Sequence, residues 1–362
     1  MISGGSLAVA ASTGAAAFVL VAMFTELTRR FALRLKIVDR PAASRPHRRP
    51  TPYLGGIAIV GGTLLPAATL IRDWNLQIVM IMMSGVLVSL LGVIDDCRPL
   101  RPVWRLAVET VAAALVVASG VRVEFFSGVE FFGNWIDTVG TLIWIVFVTN
   151  SFNMIDNTDG VLGTISAASA GILAVTALIA GQQAVALLLL SMAFGCLGFV
   201  AHNWNPARIF MGDAGSLFIG FTLATCAVTV FGQVEPVKAV PGLLLFTFIP
   251  ALDTCLAIVA RQRARRPWLI ASPDHLAHRC VAAGFTPRQI ALVMSGATTA
   301  TSLLGMHVLL GWVPGTVSLA GLACAGVALV TFLVRAPGRY PAPTPRVRRT
   351  KSTAMASSEG RH

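Results

Sequence analysis

Charge is what this sequence has least of: Asp, Glu, Lys and Arg make up 12% of its 362 residues, against 55% hydrophobic ones. A domain with a water-facing surface carries roughly a quarter charged residues, so a soluble globular protein is excluded. Cysteine is scarce as well. The six thiols, Cys97, Cys196, Cys226, Cys255, Cys280 and Cys324, form no C-x-x-C pair, which argues against both a zinc site and a disulfide framework. Also absent is a basic stretch ahead of the first apolar run; Arg29 and Arg30 lie behind that run instead. Residues 1–27 are therefore expected to form a retained span rather than a cleaved signal peptide.

What is there is apolar sequence long enough to cross about 30 Å of hydrocarbon, repeated along the chain. Eleven spans are expected, at residues 7–27, 54–71, 77–94, 104–121, 135–149, 161–180, 183–201, 215–232, 237–258, 289–310 and 313–334. The expected fold class is an all-α polytopic membrane protein, with residues 1–334 as one membrane domain and 335–362 as a disordered basic tail.

The net charge of +12 could suggest nucleic acid until the basic residues are sorted by side. With the N-terminus outside, inner segments hold eight Lys/Arg in 28–53, three in 95–105, Arg208, six in 259–288 and seven in 335–362. Outer loops hold only Arg72, Arg122 and Lys238. The positive-inside rule accounts for this split, and nucleic acid is excluded as a partner. The C-terminus is expected in the cytoplasm, and the protein in the cell membrane with five inner loops, 28–53, 95–105, 150–160, 202–214 and 259–288.

Ionisable residues that a bilayer should exclude mark function. Asp73, Glu124, Glu130, Asp137 and Glu235 fall in outer loops and read as solvated charges. Seven aspartates fall at inner helix ends: Asp95, Asp96, Asp156, Asp159, Asp213, Asp253 and Asp274. Asp95 and Asp96 close a span, where two carboxylates oppose the helix dipole unless Mg²⁺ or basic side chains such as Arg98 or Arg101 relieve them. Asn153, Asp156 and Asp159 recur every three residues and would share one face of a helix, as a cation site or as an interhelical cap. Asp213 sits among glycines ahead of a span, either as a helix cap or beside a phosphate at the helix N-terminus. His275, His278 and Arg279 could neutralise a diphosphate.

The order of these motifs resembles the polyprenyl-phosphate N-acetylhexosamine-1-phosphate transferases of glycosyltransferase family 4. The resemblance covers residues 39–280: Asp39-Arg40-Pro41 with His47 to Gly56, then Asp95-Asp96, then Asn153 to Gly160, then Asn205-Pro206-Ala207 to Ser216. The loop Asp274 to Arg279 is similar to the WecA and TagO branch, which favours N-acetylglucosamine 1-phosphate over a muramoyl-pentapeptide donor. The family implies transfer of a sugar 1-phosphate from a UDP-N-acetylhexosamine to polyprenyl phosphate, with release of UMP, for cell-wall or surface polysaccharide assembly. It also implies Mg²⁺, with Mn²⁺ as a substitute. By resemblance Asn153 and Asp213 hold the metal, Asp95 deprotonates or orients the lipid phosphate, and Asp96 supports the metal shell. Arg45, His47, Asp156, Asp159, His275, His278 and Arg279 bind substrate. A homodimer is an open expectation. Three positions depart from the pattern: Arg45 in place of a Lys, Asn157 in place of a Gly and Ala277 in place of a His.

Two other classes are weighed. A prenyltransferase of the UbiA type needs a second Asp-rich motif, and none follows Asp213. A secondary transporter would place ionisable residues within spans and carry an internal repeat; only Asp253 comes near, and no repeat is found.

Overall fold

The computed structural model describes residues 4–39, 51–124, 133–265 and 274–335. It is a helical bundle: α1 (Gly4–Arg34), α2 (Gly55–Leu70), α3 (Leu76–Cys97), α4 (Pro102–Ala118), α5 (Gly133–Ile155), α6 (Val161–Ile179), α7 (Gln183–Asn203), α8 (Gly212–Phe231), α9 (Pro236–Phe246), α10 (Phe248–Arg263), α11 (Leu276–Ala282), α12 (Pro287–Leu309) and α13 (Gly315–Arg335). Two short antiparallel strands, β1 (Val38–Asp39) and β2 (Thr51–Pro52), pair ahead of α2. Arg45 and His47 lie outside the described residues.

Among the described residues eight helices are long and apolar enough to cross a membrane, and nine if the bent pair α9 and α10 is one span. The expected count of eleven is reached only by adding α2 and α4, of 16 and 17 residues. At 1.5 Å per residue each covers about 25 Å, short of a full hydrocarbon core. The span expected at 237–258 is not straight either: α9 and α10 meet at 72°. Thr247 stands at the break and its hydroxyl donates to the Leu243 carbonyl at 2.8 Å, satisfying one backbone acceptor inside the protein. Asp137 is also not a solvated loop charge: it lies inside the span expected from residue 135, in the first turns of α5, and is buried there.

The centre of the bundle is α8. Every residue from Ala214 to Phe231 is buried, between α3, α5, α2 and α9. In lipid, helices associate by close packing more than by the hydrophobic effect, and small residues allow the approach. Gly92 of α3 lies directly on the start of α8: a Cβ there would come within 2.5 Å of Ala214 Cα and N. Gly56 of α2 abuts the Gly215 backbone on the other side. The segment from β2 into α2 completes the clamp: Phe210 N–H donates to Pro52 O at 2.9 Å, Gly55 N–H to Phe210 O at 3.1 Å and Gly56 N–H to Met211 O at 2.8 Å. The N-terminus of α8, with Asp213, is thus fixed by α2 and α3 together.

Candidate active site at the helix ends

After α3 the chain turns sharply and Pro102 opens α4, where its missing N–H costs nothing. The turn is held by Leu100 N–H, which donates to Asp95 Oδ1. It brings Arg105, on the first turn of α4, back over the end of α3. Arg105 Nη1 lies 2.8 Å from Asp95 Oδ2 and 3.3 Å from Asp213 Oδ2, and Nη2 donates to Asn153 Oδ1 at 2.9 Å. Asn153 Nδ2 donates in turn to Asp213 Oδ1 and to Ser216 Oγ, each at 2.8 Å. Four helices therefore contribute to one polar knot. Arg105 is not distinguished in the sequence, where it counts only as one of many inner charges. The signal is its spacing, ten residues after Asp95 and just inside a Pro-initiated helix.

Asp96 faces the other way. Its carboxylate accepts from the Asp213 N–H at 2.9 Å and from the Ala214 N–H at 3.2 Å, so it closes the N-terminus of α8. Gly212 makes this approach feasible: its φ is +72°, and a Cβ would stand 2.5 Å from Asp96 Oδ2. The dipole conflict at the end of α3 is thereby resolved. Asp95 meets a guanidinium and Asp96 meets a helix N-terminus, where negative charge is favoured. Arg98 and Arg101 stay exposed. The N–H groups expected to receive a phosphate are occupied by a side chain of the protein itself, and Asp96 fixes the backbone that carries Asp213.

The triplet Asn153, Asp156 and Asp159 does not share a helix face, because α5 stops at Ile155. Asn153 remains on the helix and joins the knot. Asp156 follows in the loop, where burial and then the charges of Asp213, Asp96 and Asp159 push its carboxyl up to about 7. Asp159 turns to the α7–α8 loop, accepting from Asn205 Nδ2 at 2.9 Å and Ala207 N–H at 3.0 Å. Gly160, at φ +76°, donates to Asn203 Oδ1 at 2.9 Å. These bonds lock the two loops side by side, and one oxygen of Asp159 is used in doing so.

The histidine loop is built differently from the expectation. His275 is buried; its Nδ1 is 2.8 Å from Asp253 Oδ2, and its Nε2 is 3.3 Å from Arg261 Nη2. Arginine only donates, so Nε2 accepts and Nδ1 keeps its proton for Asp253. Leu276 N–H donates to the second oxygen of Asp253 at 2.5 Å. With both ring nitrogens engaged within the protein, His275 ties the loop to Asp253 and Arg261. Arg279 Nη1 donates to Leu333 O on α13 and Nε to Asp274 O at 3.3 Å, tying the loop to the last helix. Burial, then the neighbouring His275, hold His278 below its ordinary value, against Asp253 and Asp274. Ala277 is buried in the core.

Asp253 is therefore the anchor of this loop, from a position just past the bend between α9 and α10. Asp253→Asn places an amide donor against the Nδ1 proton or the Leu276 N–H. It is expected to lower stability by about 1–3 kcal/mol, the cost of a buried unmatched donor, read as a fall in the thermal midpoint in nanodiscs.

Asp95, Asp213 and Asn153 turn carboxylate and amide oxygens onto a single cationic group. An all-oxygen set of this kind fits Mg²⁺, which takes few protein ligands and completes its shell with water or phosphate oxygens. Among the described residues no group of three His, Cys, Asp or Glu side chains stands ready to hold a metal, so one protein ligand would be the Asn153 amide.

Fold and site define a polytopic membrane protein that gathers carboxylates and an arginine at one end of its bundle. The glycosyl transferase family 4 pattern matches residues 78–231. The chain is 35% identical to a Streptomyces coelicolor protein named as a glycosyltransferase, over 92% of this chain and 79% of that one. It is 30% identical to a Bacillus subtilis protein named "Probable undecaprenyl-phosphate N-acetylglucosaminyl 1-phosphate transferase", over 76% and 78%. It is 31% identical to the decaprenyl-phosphate N-acetylglucosaminephosphotransferase of Mycobacterium leprae, over 78% of this chain and 80% of that one. The chain belongs to glycosyl transferase family 4.

Proposed function

We propose that the protein transfers N-acetylglucosamine 1-phosphate, or a related N-acetylhexosamine 1-phosphate, from a UDP-sugar to polyprenyl phosphate on the cytoplasmic face of the membrane. One observation carries this reading: the knot of Asp95, Arg105, Asn153 and Asp213 joins four helix ends within a membrane bundle of this family. The names of the relatives support the lipid acceptor and the sugar, and the excess of Lys and Arg in the same loops supports the side.

In the reaction an oxygen of the lipid phosphate bonds to the β-phosphorus of the UDP-sugar, and the bond from that phosphorus to the bridging oxygen breaks, releasing UMP. The nucleophile is already an anion, so the task is to bring two negatively charged groups together. Asp95 accepts the remaining proton of the lipid phosphate or orients it. Asp213 and Asn153 would hold Mg²⁺, which when bound would offset the charge on the diphosphate. Asp96 keeps Asp213 in place through the α8 backbone, and Asp156, beside Asp213 and Asp159, faces the nucleotide.

Initial rates with UDP-N-acetylglucosamine, UDP-N-acetylgalactosamine and UDP-N-acetylmuramoyl-pentapeptide at equal concentration test the donor. UDP-N-acetylglucosamine is expected to be fastest. A preference for the pentapeptide donor would overturn the assignment of sugar.

A further inference from the structure

Arg105 sits where the oxygen ligands converge. Its two terminal nitrogens contact Asp95, Asp213 and Asn153 at once, a planar fork that an ammonium could not reproduce. A divalent ion binding to the same oxygens has to displace it.

One helical turn along α4 lies Glu109, fully buried within the bundle. Asn150 Nδ2 donates to its Oε2, while its Oε1 has no hydrogen-bond partner among the described residues. Residues four apart on a helix are neighbours, and the charge of Arg105 acts on Glu109. A buried acid with an open acceptor is costly unless a donor reaches it for part of the working cycle. One turn away on the same helix, the guanidinium of Arg105 is such a donor.

We propose that Arg105 is the resident cation of the metal site: it bridges Asp95, Asp213 and Asn153 when the divalent ion is absent, and swings to Glu109 when the ion binds. The inference rests on the Mg²⁺ reading given above. It assigns Glu109, which the reaction itself does not use, as the second seat of the arginine. It also explains how a cluster of carboxylates stays together at the membrane surface between catalytic cycles. The two cations are alternatives on one set of oxygens, so removing the arginine and removing its second seat shift metal affinity in opposite directions.

The test is a titration of the full chain in nanodiscs with Mn²⁺ alone, without nucleotide or lipid phosphate, following the free ion by electron paramagnetic resonance. Arg105→Met removes the competitor and is expected to tighten Mn²⁺ binding about tenfold, the scale of a typical coupling between mutually exclusive ligands. Glu109→Gln removes the second seat and is expected to weaken it several-fold. In the Arg105→Met background Glu109→Gln should have no further effect. Arg105→Lys, which keeps the charge but cannot bridge all three partners, should fall between wild type and Met and serves if the Met variant does not fold. Unchanged or weaker binding in folded Arg105→Met or Arg105→Lys, with wild type binding Mn²⁺ normally, would overturn the exchange and leave the metal reading standing. Failure of every form to bind Mn²⁺ at millimolar concentration would overturn the metal reading, and the exchange with it.

Discussion

Asp213→Asn is expected to lower turnover at least about a hundredfold, the scale seen when a main electrostatic contributor is removed, in a protein that still inserts and folds. Asp213 Oδ1 accepts from Asn153 and Oδ2 faces Arg105, so the carboxylate is an acceptor on both sides. An amide keeps one acceptor and turns a donor toward another donor. It also removes the carboxylate that would hold the metal beside the Asn153 amide. The expected loss is in kcat, with the thermal midpoint near wild type because α8 is anchored elsewhere, through Asp96, Gly92 and Gly56. Wild-type turnover in a folded Asp213→Asn protein, measured as UMP release at saturating substrates, would remove Asp213 from the site.

Asp96→Ala is expected to act through the backbone instead. The Asp213 and Ala214 N–H groups lose their acceptor at the start of a buried helix, at about 1–3 kcal/mol for each donor left unmatched. Stability and turnover should fall together, because Asp213 moves with the end of α8. Asp96→Asn retains one acceptor and should keep part of both. Gly212→Ala provides an independent check, since it touches no carboxylate but drives a Cβ toward Asp96 Oδ2 at a φ of +72°. It should reproduce the Asp96→Ala behaviour. A stable Asp96→Ala protein that loses only turnover would show that Asp96 meets the substrate or the metal directly.

Much of this arrangement is legible in the sequence. Four polar motifs at successive helix ends on one side of the membrane specify where the site lies, and Asn153, Asp95 and Asp213 do converge there. What the sequence hides is direction. Asp95 and Asp96 are adjacent, yet successive residues on a helix point about 100° apart, so one meets Arg105 and the other α8. The every-three spacing of Asn153, Asp156 and Asp159 suggests one helix face, but spacing cannot show that α5 ends at Ile155. Arg105 escapes notice because it looks ordinary in one dimension, a positive charge in a basic loop, and Asp253, counted among the inner aspartates, gives no sign there of the histidine it holds. Their partners lie 108 residues away at Asp213 and 22 residues away at His275. The break at Thr247 is hidden by hydropathy, which averages over the bend.

The most direct test of the proposed reaction is to identify both products made by purified protein in nanodiscs from UDP-N-acetylglucosamine, undecaprenyl phosphate and Mg²⁺. Mass spectrometry should find a polyprenyl diphosphate carrying N-acetylglucosamine, with one UMP released per lipid product, and neither should form in the Asp213→Asn protein. A lipid monophosphate sugar with release of UDP would mean that the sugar alone is transferred, and would contradict the account.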